Sequence, residues 1–433
     1  MKLVKMSLLA ATLIASSAFA IDNTKVSGDA KLFYSTNNGS NDGAGGDNGA
    51  SLFNQGSSQG QAAVSLSITS DLTEGVSAGV TGYGLTSLGL YNNLVSNIWE
   101  TSAANANNVN NVAWIGEAWL AGTAGKTTAK VGYMELDTPM VYSEHWSVAP
   151  NTYGAAVLIN QDLPSTTLVG AFVGQGNGSA VEKVHSALGV PDDAPTTGFG
   201  GVINANAQMK SFYKGAYAAG VVNNSWEPLT VQAWYYQAQS VMNAYWIQGD
   251  LSIIGLDFGL QYAAQDFSGA LGNTSESQSV VAAKLGYEMK DMFTVSAAFS
   301  QVADAQGFGN VGMNLGTLGQ SKLYTEAWWN YGYITQTDTT SFNVTVTTPE
   351  SLTWASLGLF YTSADQADGG KQIGTGVDGT DMTEIALTAS KSFGPLDTSI
   401  VFFNTTADDQ NKPTAGKKGE AYNTLQAYLT YNY

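Results

Sequence analysis

Residues 126–161 read KTTAKVGYMELDTPMVYSEHWSVAPNTYGAAVLINQ, and this stretch decides the fold of the chain. It begins with the alternation of two residue sets that marks a β-strand with two different faces. The sets are Ala129, Val131 and Tyr133 against Lys130, Gly132 and Met134. Residues 137–153 follow, too many for a hairpin turn and rich in aromatic side chains, and long irregular segments inside a compact fold are usually functional. We therefore predict that 137–154 folds into a wide barrel and narrows it.

The same alternation recurs along the rest of the chain. In 61–69, Val64, Leu66 and Ile68 share one face, while the other face carries small or hydroxyl-bearing residues from Ala63 to Thr69. A β-sandwich buries its apolar face, whereas a transmembrane barrel turns that face to lipid and lines a wet lumen with the polar one. An export signal, low charge, short turns at one end and aromatic strand ends favour the transmembrane barrel.

The first twenty residues have the organisation of an export signal. Lys2 and Lys5 provide the positive start, 8–14 an apolar run, and 18–20 (Ala-Phe-Ala) a cleavage site of the small-x-small type. We predict that 1–20 is a cleaved signal peptide and that 21–433 is one outer-membrane barrel domain. No proline-rich linker or charge block divides the remainder, and the chain has no cysteine.

The composition restricts the partners. Charged residues make up 12% of the chain, about half the share of an ordinary soluble domain. All 17 basic residues are lysines, against 35 acidic residues, so the chain without 1–20 has a net charge of 15 − 35 = −20. Such a charge disfavours nucleic acid as a partner. The expected partners are outer-membrane lipids, ions and small hydrophilic solutes.

Short turns alternate with longer polar segments. We predict eight short turns, at 71–74, 122–125, 162–165, 223–227, 253–255, 290–291, 349–351 and 394–396. Nine longer segments lie opposite them, among them 36–58, 87–111, 176–205, 303–321, 365–381 and 408–419. These connections join eighteen antiparallel strands, an all-β fold, with sixteen as the alternative because strand boundaries are uncertain by a few residues.

The last strand, 422–433, alternates to a terminal aromatic residue, Tyr433. This pattern resembles the C-terminal assembly signal of bacterial outer-membrane proteins, in which Phe is the usual last residue. The first residues (2–5), the segment GYMELDTP at 132–139 with the strand 166–173, and the aromatic hairpin 229–250 resemble the major outer-membrane porins of epsilonproteobacteria. GYMELDTP also resembles the fifth strand of OprD-like porins. The resemblance implies an eighteen-stranded homotrimeric barrel with the third outer loop folded inward, conducting ions and small hydrophilic solutes.

A porin selects by the chemistry of its narrowest ring. We predict a pore constriction formed by Asp137, Glu144 and His145. Strand parity predicts ten lumen-facing charges, namely Asp29, Lys31, Glu117, Lys130, Lys214, Asp250, Asp257, Lys284, Glu288 and Glu384. Six of these are acidic and four basic, and the loop acids add to the excess. The sequence therefore predicts passive diffusion with a preference for cations.

Three other functions stay open. In OprD-like relatives some channels prefer carboxylates, and here the four lumen lysines would have to guide such anions. A barrel enzyme would use Glu144-His145 beside serine hydroxyls, although the two histidines of the chain offer little for a triad or a metal cluster. An adhesin or structural barrel would show no single-channel conductance. We predict no catalytic residues and no cofactor; structural calcium fits the chemistry of lumen carboxylates, but the sequence does not place its ligands.

Overall fold

The computed structural model describes residues 22–39, 51–91, 93–96, 112–179, 202–204, 207–307, 310–367, 379–412 and 418–433. The predicted signal peptide lies outside these ranges. The described residues form eighteen strands: β1 Asp22–Asn37, β2 Ser58–Thr73, β3 Val76–Thr86, β4 Val112–Ala124, β5 Thr127–Met134, β6 Tyr153–Asn160, β7 Thr166–Gly176, β8 Lys210–Trp226, β9 Leu229–Ala238, β10 Met242–Ile253, β11 Leu256–Phe267, β12 Gln278–Met289, β13 Phe293–Val302, β14 Thr339–Thr348, β15 Ser356–Gln366, β16 Met382–Phe393, β17 Leu396–Ala407 and β18 Tyr422–Asn432. A short helix α1 (Gly269–Gly272) and two 3-10 turns (Gln55–Ser57 and Tyr333–Thr335) lie between strands.

The strands close into one antiparallel barrel. Each pairs with its neighbours in sequence, and β1 also pairs with β18 over nine residue pairs from Asp29↔Asn432 to Asn37↔Thr424. Closure removes the unpaired strand edges that a sheet cannot leave in lipid. The predicted all-β fold with eighteen strands is confirmed, and the alternative of sixteen is wrong.

The connections differ between the two rims of the barrel. All eight predicted short turns are found at one rim, which we call the short-turn rim, and they span two to seven residues. Several two-residue turns place a glycine at positive φ, such as Gly75 (73°) and Gly255 (78°), a backbone conformation that side chains disfavour. The other, long-loop rim carries nine connections. We name three of them L3 (135–152), L5 (239–241) and L7 (303–338).

Two expectations for the long-loop rim are wrong. L5 has only three residues, because β9 and β10 continue their pairing as far as Ala238↔Met242. L7 does not end at residue 321 as predicted. It continues to Asp338, since β14 begins at Thr339, and residues 322–338 are not a strand of the wall.

The outer surface of the wall is apolar. Leu260, Val131 and Leu158 are 68%, 57% and 52% exposed, whereas the neighbouring inward positions hold polar side chains such as Gln261. Leu256 and Leu429 are each 40% exposed, so they are not packed in a buried core as the apolar face of a β-sandwich would be. This orientation is the reverse of a sandwich and is the one a barrel in lipid requires. Among the described residues, no helix has the length and apolar character needed to cross a membrane.

The barrel seam is fixed by the end of the chain. Tyr433 exchanges backbone hydrogen bonds with Gly28 of β1, at 2.9 and 3.0 Å. Its hydroxyl reaches across β1 and donates to the carbonyl oxygen of Ser65 in β2 at 2.5 Å. A Cβ on Gly28 would lie 2.2 Å from that carbonyl oxygen and 2.8 Å from the Tyr433 ring. The Tyr433 ring can therefore occupy this position only because residue 28 is a glycine and has no Cβ.

The long loops L3 and L7 occupy the interior. Met140 of L3 is fully buried among inward-facing side chains of the wall, including Trp234 and Trp246, and residues of L7 such as Leu323 and Ile334 belong to the same cluster. The backbone N–H of Met140 donates to the hydroxyl of Tyr236 in β9 at 3.3 Å. L3 thus crosses the lumen to the β9–β10 wall, and L7 packs along the inside of the barrel.

Candidate pore constriction

L3 and L7 are joined through one buried carboxylate, that of Glu144, which is 2% exposed. Glu144 Oε1 accepts hydrogen bonds from Asn314 Nδ2 at 2.9 Å, from the backbone N–H of Gln320 at 3.2 Å and from the Thr317 hydroxyl. Its Oε2 accepts from Trp146 Nε1 at 2.8 Å. A charged acceptor with four donors is well satisfied without water. Its role is to hold the loops together.

Further contacts extend this junction. The backbone N–H of Leu315 donates to the Met140 carbonyl at 2.7 Å, and the ring of Trp146 stacks edge-on against Trp329 with centroids 5.4 Å apart. At the exposed margin, Lys322 of L7 forms an ion pair with Asp137 of L3. The two loops therefore form one packed unit inside the lumen.

Glu384 of β16 anchors L7 to the opposite wall. It is 2% exposed and accepts from the backbone N–H groups of Trp329 and Asn330, each at 3.0 Å, and from Asn330 Nδ2 at 2.6 Å. Strand parity predicts an inward direction for this side chain, and L7 covers it. Glu384 and Glu144 therefore do not present charge to a water column, because L7 supplies the hydrogen-bond donors that water would otherwise supply.

Three acids gather beside L3 on the β1–β5 wall around Tyr83, whose hydroxyl interacts electrostatically with Glu135, Glu117 and Asp29. Glu117 Oε1 accepts from the hydroxyl of Thr81 at 2.9 Å. The backbone N–H of Glu135, the first residue of L3, contacts Glu117 Oε2 at 3.4 Å. The start of L3 thus brings its own carboxylate next to two carboxylates of the wall.

Basic side chains neutralise part of this cluster. Lys31 Nζ lies 3.7 Å from Asp29, and Lys130 Nζ lies 4.1 Å from the centroid of the Trp119 ring, a cation–π geometry. His145 Nε2 lies 3.1 Å from a carboxylate oxygen of Glu135. The hydrogen bond to Glu135 raises the pKa of His145. Partial burial of the imidazole acts in the opposite direction, but the net pKa is raised.

These interactions connect eight side chains, which we call the constriction group: Asp29, Lys31, Glu117, Lys130, Glu135, Asp137, His145 and Lys322. Its formal charge is 3 − 4 = −1 with His145 neutral and zero with His145 protonated. Of the predicted constriction residues, Asp137 and His145 are in this group, and the Asp137 side chain is 87% exposed. Glu144 is the exception, since its carboxylate is buried between the loops.

A second charged site lies across the lumen, where L7 crosses β10 to β12. Tyr324 donates its hydroxyl to Asp250 Oδ1 at 2.6 Å. Lys284 Nζ lies 3.6 Å from the same oxygen and 4.5 Å from the centroid of the Tyr324 ring. Asp250 and Lys284, each predicted separately to face the lumen, thus lie together beside an aromatic residue of L7.

The remaining predicted charges lie near the rims. Asp257 and Glu288 are inward positions at the short-turn rim, where Ser252 donates its hydroxyl to Asp257 and Glu288 is exposed. Lys214 is exposed at the long-loop rim, with Nζ 3.2 Å from the hydroxyl of Ser240 in L5. These three side chains are too close to the ends of the barrel to belong to the constriction group.

Solved structures of outer-membrane proteins share this fold. OpdK from Pseudomonas aeruginosa matches with a TM-score of 0.69 and 13% identity over 95% of this chain and 99% of that chain. OccAB4 from Acinetobacter baumannii matches with a TM-score of 0.70 and 11% identity over 96% and 99%. OccK2 (OpdF) from P. aeruginosa, solved in complex with glucuronate, matches with a TM-score of 0.66 and 12% identity over 95% and 98%. No family model and no curated protein matches the sequence.

These neighbours are channels of the OprD and Occ group rather than enzymes, and at such low identity they show the fold of the chain. The fold agrees with the OprD-like part of the resemblance in the sequence. The proposed enzyme pair is not assembled, because His145 contacts Glu135 while Glu144 is bound to L7. Within the described ranges, no group of three or more acidic or histidine side chains is arranged to hold a metal ion.

Sequence reasoning did not identify Glu135, Lys322 or the inward course of L7. Glu135 stands in the quoted stretch, but strand parity places it at the end of a strand and gives no sign of its contact with His145. Residues 322–333 (KLYTEAWWNYGY) lack the alternation of a wall strand and contain two adjacent tryptophans. That loss of alternation was the available signal for an inward loop.

Proposed function

We propose that the chain forms a water-filled channel in a bacterial outer membrane for passive diffusion of ions and small hydrophilic solutes, with a preference for cations. The observation that carries this proposal is a closed barrel with an apolar exterior whose interior holds a charged, partly exposed constriction group. Fixed charges at a narrow place bias which ions enter. The proposed role of L3 and L7 is to reduce the lumen to the size that such selection needs.

The charge balance supports cation preference. Among the lumen charges described above that remain accessible, the acids are Asp29, Glu117, Glu135, Asp137, Asp250, Asp257 and Glu288, and the bases are Lys31, Lys130, Lys214, Lys284 and Lys322. Their sum is 5 − 7 = −2. Paired charges of both signs also create a transverse field, which favours polar over apolar solutes.

The decisive experiment is single-channel recording on the purified protein in planar bilayers under a salt gradient. We expect discrete conductance steps and a reversal potential of the sign that indicates cation preference. The double variant Asp29→Asn, Glu135→Gln removes two constriction charges and should shift the reversal potential toward anions. Glu227→Gln, at an exposed turn of the short-turn rim, is the matched control and should leave it unchanged. A clear anion preference of the unmodified channel would refute the proposal, and absence of conductance would favour the adhesin.

A channel selective for carboxylates is the second candidate. The observation that favours it is that the similar channel OccK2 was solved with glucuronate and the similar OpdK with vanillate. In this chain, the side chains that attract the carboxylate would be those of Lys31, Lys130, Lys214 and Lys284. Lys31 and Lys284 each have an acidic partner, which weakens their attraction for anions. Conductance that saturates with glucuronate, and loses saturation in Lys31→Met, would favour this function.

Three finer points are also proposals. The resemblance to epsilonproteobacterial major porins supports that group as the source of the chain and a homotrimer as its assembly. The segment 1–20 supports export with removal of a signal peptide. Mass spectrometry of the N-terminus and of the intact detergent-solubilised assembly tests the last two directly.

A further inference from the structure

A cavity of about 120 Å³ lies between the wall and the two inner loops. Strands β6 to β11 provide one side, with Val169, Ala218 and Phe267 among the lining residues, and L3 and L7 provide the other side through Val141 and Leu315. Glu135 and Asp137 neighbour lining residues on L3, and Lys130 pairs with the lining residue Val157, but none of the eight constriction-group residues itself lines the cavity. The cavity is therefore separate from the charged group.

The lining of this cavity is almost entirely apolar. Valine, alanine, leucine and phenylalanine side chains predominate. Apolar cavities of this size do not hold water stably, and an engineered one of about 150 Å³ binds benzene. A single aromatic ring is thus the size of ligand that the space accepts.

Within the described part of the chain, one polar atom of the cavity wall is buried and has no hydrogen-bond partner. Gln265 lines the cavity and is 2% exposed. Its Nε2 donates to Gln278 Oε1 at 2.6 Å and to the carbonyl oxygen of Asn310 at 3.2 Å. Its Oε1 is the buried atom for which the described residues supply no hydrogen-bond partner. A buried acceptor left unpaired is costly, and few such atoms occur in folded proteins.

We propose that this cavity binds a small neutral aromatic molecule with a single hydrogen-bond donor, of the phenol class, with its ring against the apolar lining and its hydroxyl donating to Gln265 Oε1. The acceptor selects a donor on the ligand and repels a carboxylate. An ionised ligand would also lose its hydration in apolar surroundings. The site therefore differs in ligand chemistry from the charged pore.

The position of the cavity gives the ligand contact with both inner loops. Leu136 and Val141 of L3 and Leu315 of L7 line it, and the charged Asp137 lies between the first two in sequence. A bound ring fills space between these loops and the wall. The ligand stabilises the inward position of L3 by the apolar surface that it buries.

The test is titration calorimetry of the full-length protein in detergent with phenol and, separately, with benzene. Protein-free micelles measure partition of each probe into detergent, and that heat is subtracted. We expect saturable binding of phenol, about fivefold tighter than benzene, as one net hydrogen bond provides. Gln265→Met should reduce this preference to about one while keeping benzene binding.

Filling variants test the location. Ala218→Leu should abolish binding of both probes, with Ala216→Val as the second filling variant if the first does not fold. Ala219→Leu is the matched control, because it lies next in β8 on the outward face and does not line the cavity. Heat-dependent gel migration verifies the barrel in each variant. Absence of saturable binding, or binding that survives both filling variants, overturns the site. Equal affinity for phenol and benzene in the unmodified protein overturns the assigned ligand class.

Discussion

Asn314 Nδ2 donates to Glu144 Oε1 at 2.9 Å and to the Tyr142 carbonyl oxygen at 2.9 Å, although 170 residues separate Asn314 from Glu144. One amide group thus binds the side chain and the backbone of L3 to L7. We expect the width of the channel to depend on this junction between the two loops.

Removal of the Glu144 carboxylate should release L3. Glu144→Ala removes the acceptor of the Thr317 hydroxyl and of Trp146 Nε1, and one of the two acceptors of Asn314 Nδ2. A loss of stability on the order of 3 kcal/mol follows from unpaired buried donors. We expect a larger and noisier single-channel conductance together with a lower melting temperature of the detergent-solubilised protein.

The exposed turn residue Glu227 provides the control for that experiment. Glu227→Ala removes an equal charge at the short-turn rim and should leave conductance and melting temperature unchanged. If Glu144→Ala conducts like the unmodified protein, the junction does not set the pore width.

The second anchor is Glu384, which holds the middle of L7. Glu384→Ala removes the acceptor for two backbone N–H groups and for the Asn330 amide, so L7 should detach from β16. We expect increased conductance and faster proteolysis within L7. Glu384→Gln keeps one acceptor oxygen and should lie between the alanine variant and the unmodified protein. Identical protease resistance of all three would contradict the anchoring role.

The ion preference should depend on pH through His145. Its pKa is raised above the ordinary value of 6.5 by Glu135, so His145 is protonated at low pH and loses its proton as the pH rises through the raised pKa. Protonation changes the constriction group from −1 to zero. Cation preference should therefore decrease as the pH falls, and the His145–Glu135 attachment should strengthen in the same direction.

Reversal potentials measured from pH 5 to pH 9 test this expectation in one bilayer series. His145→Asn has no charge to gain and should flatten the curve in this range. A cation preference that increases on acidification, or an unchanged curve in His145→Asn, would show that another group controls the titration.

The seam of the barrel should not tolerate a side chain at Gly28. Gly28→Val places a branched side chain against the Ser65 carbonyl and the Tyr433 ring, and overpacking of this kind costs about 1–3 kcal/mol. We expect a smaller folded fraction after refolding into detergent or lipid, measured by heat-dependent gel migration. Gly84→Val is the control, because a Cβ there meets nothing within 4 Å. Equal refolding of the two variants would argue against the seam contact.

The sequence predicted the strands of the wall well because alternation of apolar and polar residues within each strand distinguishes its two faces. All eight short turns and the strand count followed from period-two alternation and from turn residues, which are local properties. The inward direction of Asp250, Lys284 and Glu384 followed from parity in the same way. L5 was predicted too long and L7 too short, because loop length at the long-loop rim is not fixed by alternation.

The sequence by itself thus determined a closed barrel with an apolar exterior and a charged interior. Only the tertiary structure decided which charges water reaches. Glu144 and Glu384 face inward like Asp29, but L7 covers them, while Glu135 gains its place beside His145 from the path of L3. The physical reason is that the direction of a strand side chain is set by its position in the local alternation. Burial of a lumen carboxylate depends instead on hydrogen-bond donors in loops more than fifty residues away in the chain.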